Sequence, residues 1–376
     1  MGVYKLSEPK STITLFYGGV VNLGRSINIS VKNIAPFVGI DEMASADLRL
    51  VNLECVIATT GEQENKTNTH YLRARPEQTN ILVDNNIDIV LTANDHAGDY
   101  GAEALIEQGE ILDRAGILHT GSGKNFAQAL TPVYKKVGGV TLAIFSVDST
   151  KESSAATADS SGTAYLPADK PELWQETFSE RIRVAHENAD VVIVAPHWGE
   201  NMTSKPSEEI KTLAHLLIDM GADAVLGCNS HLVHGVENYK SRPIIYDAGD
   251  FLFDLGNRNG GCFLLEISSS GVEKIKFIPL VIRYCQTLRA KDSAPKIRMD
   301  FISACKEFNT ELITAKNFLE INFNPPPRET KIISAVAEVK QEKHLIEPLA
   351  EPRPNWIVDK VPEEAIIPPQ NLSGLK

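Results

Sequence analysis

Val191-Val192-Ile193-Val194-Ala195-Pro196, followed at once by His197-Trp198-Gly199-Glu200, is the stretch on which the reading of this chain turns. An apolar run this short, bounded by turn residues, reads as a buried strand rather than a helix. Residues 206–220 then place Leu213, Leu216, Leu217 and Met220 at helical spacing, and Gly221 stops that helix. A second strand, residues 222–226, runs into Gly227-Cys228-Asn229-Ser230-His231-Leu232-Val233-His234-Gly235. A third, residues 243–246, runs into Asp247-Ala248-Gly249-Asp250-Phe251. Three strands thus end in clusters of His, Asn or Asp. In open α/β sheets the ligand crevice lies beyond the carboxyl ends of the strands. One such cluster would be an ordinary polar loop; three in succession predict a shared site.

Upstream, residues 12–16 predict a strand that ends at Tyr17-Gly18-Gly19, two glycines suited to a tight turn or a close approach of backbone to ligand. Arg25 is either a solvated charge or a clamp for a carboxylate or phosphate. Residues 47–53 alternate and end at Glu54, a loop carboxylate or a candidate metal ligand or base. Residues 87–91 form another buried strand, running into Asn94-Asp95-His96-Ala97-Gly98-Asp99-Tyr100-Gly101. Packing alone does not explain that many acids, amides and glycines at one strand end.

Helices are predicted over residues 77–83, 102–115 and 173–188, and a hairpin over residues 132–137 and 140–147, turned at Gly138-Gly139. Residues 151–162 are rich in Ser and Ala and read as a loop of mobile composition. Residues 261–268 and 272–282 read as a closing antiparallel pair, followed by a helix around residues 303–319. From Asn324 the chain is rich in Pro, Glu and Lys, the composition of an extended or disordered tail, with Trp356 and Ile357 among residues suited to partial docking or to a protein partner.

The net charge of −12 and the absence of Lys/Arg clusters argue against a nucleic-acid surface. Five cysteines without CxxC spacing indicate neither a disulfide framework nor a thiolate zinc site. No run reaches membrane-spanning length and the first residues hold no apolar signal region, so the expected localisation is cytoplasmic.

The residues quoted carry a family pattern. Gly18 to Arg25, Asn52-Leu53-Glu54, Asn94-Asp95-His96 with Asp99-Tyr100-Gly101, His197-Trp198-Gly199-Glu200, the run from Gly221 to Gly227, His231, and the run from Tyr246 to Asp254 together resemble the CapA family. That family is named for poly-γ-glutamate capsule synthesis and belongs to the calcineurin-like metallophosphoesterases. The resemblance covers residues 12–282. It implies an α/β sandwich of two mixed β-sheets flanked by helices, with metals at the strand ends, over residues 1–322, and leaves residues 323–376 as the Pro-rich tail. This chain departs from the usual pattern at Gly19, where the family has Asp, at Asp95 for Asn, at Asn229-Ser230-His231 for His-Pro-His, and at Asp250 for Asn.

By the same resemblance, one cation would be held by position 19, Glu54 and His231, and a second by Glu54, Asp95, His197 and Asn229. Glycine offers no side chain, so one well-formed site is expected rather than two. Carboxylates, an imidazole and an amide oxygen suit Mn²⁺, Zn²⁺, Mg²⁺ or Ca²⁺. His96 would be the general acid or base, with Asp95 beside it and Asp99 positioning it. Arg25, Arg73, Arg75, Trp198, Glu200, His234 and Asp250 are candidates for the substrate wall, each with a surface or packing reading of equal weight. The function expected is a metal-dependent hydrolase or tailoring enzyme for an acidic polymer or peptide. The alternatives are a metal-assisted acid/base enzyme such as a peptide Cα epimerase, or a degenerate protein that binds without catalysis. Replacing Gly19 by Asp is expected to restore the missing carboxylate, provided its backbone admits a Cβ.

Overall fold

The computed structural model describes residues 11–30, 35–63, 70–254 and 256–326. The expected tail, apart from its first few residues, lies outside them. Two mixed sheets form the body, one of eleven strands and one of six. In the larger sheet Thr12–Val21 lies between Arg258–Ser268, antiparallel to it, and Leu48–Leu53, parallel to it. Ile89–Leu91 and Leu118–Thr120 extend the parallel side. In the smaller sheet Val191–His197 is central, parallel to Val140–Asp148 on one side and Ala224–Leu226 on the other, with Arg242–Ile245 parallel beyond.

The period of two along each strand builds three apolar layers. Ile13, Leu15 and Tyr17 of the larger sheet pack with Leu142, Ile144, Val191 and Ile193 of the smaller in one buried cluster between the sheets. On the outer face of the larger sheet, Phe16, Val51 and Val90 meet Leu82 of the helix Thr79–Asp84 and Ile111 and Leu112 of the helix Gly101–Ala115. On the outer face of the smaller, Phe145, Val192 and Val194 meet Trp174 and Phe178 of Pro171–Asn188 and Leu213 and Leu217 of Glu208–Asp219. Covering on both faces is why Val191–His197 reads as a continuous apolar run. This is the sandwich of two mixed sheets flanked by helices that the sequence predicts.

Two local expectations need correction. The first strand does not end at Gly18-Gly19 but continues to Val21. Tyr17 pairs with Leu50 and Val20 with Asn52, so the first strand spends one more residue than its neighbour. That is a bulge, and Gly19 with φ +84° supplies the conformation it needs. The helix expected around residues 303–319 is Ala294–Lys306 instead. Pro295 opens it, Ile297, Phe301 and Cys305 form its buried face, and Asn309 with φ 53° turns the chain beyond it. Leu319–Asn322 is a strand antiparallel to Gly271–Arg283. The apolar spacing of Leu319 and Ile321 is thus a strand's, set by Phe277 and Ile275, which are distant in sequence.

Residues 151–162 hold a 3-10 turn, Glu152–Ser154, and lead to the short strand Gly162–Thr163, which pairs with Ser122–Gly123. All five cysteines are buried. Among the described residues no helix is long and apolar enough to cross a membrane.

Candidate metal centre

The parallel strands of both sheets deliver their carboxyl ends to one edge. Glu54 follows Leu48–Leu53, Asp95 and His96 follow Ile89–Leu91, and His197 is the last residue of Val191–His197. His197 belongs to one sheet and the two acids to the other, so the cluster straddles the sandwich. One ligand atom each from Glu54, Asp95 and His197 lies within 4.8 Å of the others. His197 Nε2 is 3.2 Å from Asp95 Oδ1 and 3.9 Å from Glu54 Oε2. His231 approaches from the far side, its Nε2 3.7 Å from Glu54 Oε1. Glu54 and His197 are each 1 % exposed, while the Asp95 side chain is 24 % exposed, so the cluster opens to solvent at Asp95.

Outer partners orient these groups. His231 Nδ1 donates to Asp250 Oδ1 at 2.8 Å, and Arg258 Nη1 holds Asp250 Oδ2 at 2.7 Å. A carboxylate behind one imidazole nitrogen leaves the other with its lone pair facing Glu54, the arrangement that readies a histidine for a cation. His96 Nδ1 donates to Asp99 Oδ2 at 2.6 Å. Asp99 also accepts from Leu72 N at 2.8 Å and Lys151 Nζ at 3.1 Å. Asn229 has φ 138°, and its Nδ2 donates to Gly199 O at 2.7 Å.

The electrostatics are those of concentrated acid. Burial pushes the Glu54 carboxyl well above its ordinary range, and Asp95, Asp250, Asp247 and Asp99 push it further. Burial also raises Asp148 and Asp247. Burial acts the same way on Asp95, but His96, His197 and His231 outweigh it and hold that carboxyl low. For His96, burial disfavours the charged ring, yet Asp95 and Asp99 prevail and raise it. A buried carboxylate among four others is unfavourable unless something positive joins it. Two carboxylates and an imidazole are the donors a hard or borderline divalent cation takes, so the residues present fit one.

Position 19 does not fit a second carboxylate. A Cβ there would lie 2.3 Å from Gly249 O and 3.1 Å from Ala248 Cβ. Val20 N donates to the same Gly249 carbonyl at 2.9 Å, so that oxygen is fixed. The condition attached to Gly19→Asp, that the backbone admit a Cβ, is not met.

Residues expected at the substrate wall divide. Arg25 is paired with Asp254, its Nε 3.0 Å from Oδ2, and sits 5.4 Å over the Phe253 ring, whose other neighbour at 5.3 Å is His231. Arg73 stacks 4.0 Å over Tyr100 and donates to Gly61 O, and Arg75 is exposed. Trp198 is buried and donates its indole N–H to Tyr246 O at 3.0 Å. Trp198, Glu200 and His234 line a cavity of about 660 Å³ together with Lys205, Ser230 and Asp247. Glu54, Asp95 and His197 do not line it, although His197 and Asn229 immediately precede Trp198 and Ser230 in the chain. The sequence reading quotes Asn52 and Asn94 within motifs without giving either a role, and it passes over Lys151 and Arg258. Asn52 had a signal, since it precedes Glu54 by two residues in a strand direction; Lys151 had none.

The two packed sheets and this donor cluster define the class, an α/β sandwich with a candidate divalent-metal centre at its strand ends. The family described as bacterial capsule synthesis protein PGA_cap matches residues 14–255, and the chain belongs to it. The "PGA biosynthesis protein CapA" of Bacillus subtilis is 28% identical over 64% of this chain and 62% of its own length. The "Capsule biosynthesis protein CapA" of Bacillus anthracis is 28% identical over 57% of this chain and 52% of its own. The chain therefore spans little more than half the length of these relatives. Among solved structures, a phosphatase from Mycoplasma pneumoniae described as novel is 13% identical over 72% of this chain and 94% of its own, with a TM-score of 0.47. The fold assignment rests on the sheets themselves.

Proposed function

We propose that this chain is a metal-dependent hydrolase or tailoring enzyme that acts on an acidic polymer or peptide of the poly-γ-glutamate kind. The observation that carries the reading is the convergence of Glu54, Asp95 and His197 beside the His96–Asp99 pair. Glu54, Asp95 and His197 would hold one divalent cation, with His231 turned toward Glu54. Such a cation supplies Lewis acidity toward a carbonyl or phosphoryl oxygen and eases deprotonation of water.

The protein's own groups supply the rest. Asp99 holds the proton on His96 Nδ1, which leaves Nε2 to accept or deliver a proton at the open side of the cluster. Lys151 and the Leu72 amide keep Asp99 in place. Arg25 and Arg258 are each taken up by a carboxylate, Asp254 and Asp250, so an anionic substrate depends on the cation for its positive charge. The names of the Bacillus relatives supply the acidic polymer.

Incubating poly-γ-glutamate with wild type and His197→Ala, with and without Mn²⁺, tests this. Wild type with metal is expected to shorten the polymer. His197→Ala is expected to lose metal and activity together, each by on the order of 100-fold or more. A His197→Ala protein that keeps both would defeat the metal assignment. Unaltered polymer that still binds both proteins would instead mark a binding protein. The bulge at Gly19, which leaves no carboxylate for a second cation, favours a second reading, metal-assisted proton transfer at a peptide Cα. Solvent deuterium entering the Cα positions without shortening would select it.

A further inference from the structure

Metal binding through His197 Nε2 needs a bare nitrogen there and a proton on Nδ1, and the groups behind His197 oppose that arrangement. Asn94 is oriented by backbone on both sides: its Nδ2 donates to Leu53 O at 2.9 Å and its Oδ1 accepts from His96 N at 3.2 Å. The same Nδ2 lies 3.3 Å from Asn52 Oδ1, so Asn52 must turn its oxygen toward Asn94. Asn52 Nδ2 then faces the other way, 3.1 Å from His197 Nδ1 and 3.5 Å from Glu54 Oε2. An amide NH₂ only donates. His197 Nδ1 is therefore the acceptor, and the ring proton sits on Nε2, which donates to Asp95 Oδ1 at 3.2 Å. Asn52, Glu54, Asn94 and His197 are all buried, so water does not substitute for any member of this chain. His231 differs, since Asp250 behind it accepts from Nδ1 and leaves Nε2 bare.

We propose that Asn52, held by Asn94, is a positioning residue that fixes His197 in the tautomer unable to bind metal, so that cation entry requires the Asn52 amide to turn over. On reversal Asn52 Oδ1 would accept from Nδ1–H, at the loss of the Asn94 bond and with its oxygen brought toward Glu54. The cation's charge offsets the second of these, and the first remains as a standing reduction in affinity. The proposal rests on the metal reading above and concerns only how His197 is prepared for it.

One neutral-to-acid change and one neutral-to-neutral change separate the causes. Asn52→Asp places an obligate acceptor behind Nδ1, as Asp250 does for His231. Asn94→Ala removes the group that dictates the Asn52 orientation and adds no charge. Nitrogen-15 NMR of the metal-free proteins reads the tautomer, and calorimetric titration with Mn²⁺ and Zn²⁺ reads affinity. Wild-type His197 should show a pyridine-type Nδ1 and a pyrrole-type Nε2. Asn52→Asp should reverse them and bind metal about tenfold tighter, and Asn94→Ala should also tighten binding, by several fold. A pyrrole-type Nδ1 in metal-free wild type overturns the proposal and leaves the metal reading intact. So does tighter binding in Asn52→Asp with none in Asn94→Ala, which would trace the gain to added charge alone. Failure of all three proteins to bind either cation would overturn the metal reading itself, and the role of Asn52 toward metal with it.

Discussion

Gly19→Asp is expected to lower stability by about 2–5 kcal/mol and to add no bound metal, the reverse of what the family pattern suggests. The cause is local geometry. Residue 19 adopts φ +84°, where any Cβ is strained, and that Cβ would meet the Gly249 carbonyl at 2.3 Å. This carbonyl belongs to the turn before Asp250–Leu252, which pairs with the first strand through Val20 and Asp250, so it has little room to retreat. Gly19→Ala separates shape from charge. If the backbone is at fault, Ala and Asp should lower the melting temperature alike, while elemental analysis finds the wild-type metal content in whatever remains folded. A Gly19→Asp protein that melts with wild type and carries one more metal would show that the bulge rearranges, and the one-cation reading would fail.

Glu54→Gln is expected to act in opposite directions on the metal-free and metal-loaded protein. Metal affinity should drop about 100-fold or more, because the carboxylate between His197 and His231 is gone. Stripped of metal, the variant should be more stable than wild type by about 1–3 kcal/mol at neutral pH, because a buried acid among acids is removed. The pH dependence follows from the same shift. The folded-state pKa of Glu54 lies above its unfolded value near 4.5. Its contribution to stability is intact below that pH and is lost as pH rises through the raised folded value. Metal-free wild type should therefore weaken relative to Glu54→Gln as pH climbs from about 4 to about 8, with the gap widest at the upper end. Denaturant unfolding in the presence of a chelator measures it. Parallel curves for the two proteins over that range would show that Glu54 ionises without strain, and the case for a cation drawn from its burial would fall.

Sheet content, helix placement and the edge that carries the site were legible in the chain because each depends on nearby residues. Val191–His197 is apolar throughout since both its faces are covered, and Glu208–Asp219 repeats its apolar residues at the helical period since only one of its faces is. A strand's direction also sets which end its loop residues occupy, so Glu54, Asp95 and His197 could be grouped before any contact was known. The misplacement of the last helix shows the limit of that logic. Leu319 and Ile321 are apolar at a spacing either element allows, and their pairing with Phe277 and Ile275 decides for a strand.

Partnerships across the site were decided by tertiary structure alone. Lys151 reaches Asp99 from 52 residues away, and Asn52 meets His197 across 145. Neither pairing leaves a periodicity, because each follows from how the two sheets stack and from rotamers the surrounding core imposes. The same holds at Gly19. The sequence shows a glycine where the resemblance implies an acid, which reads as one lost ligand. Only the bulge, the positive φ and the Gly249 carbonyl show that the position excludes a side chain altogether, since steric exclusion depends on the distance to atoms more than two hundred residues along the chain.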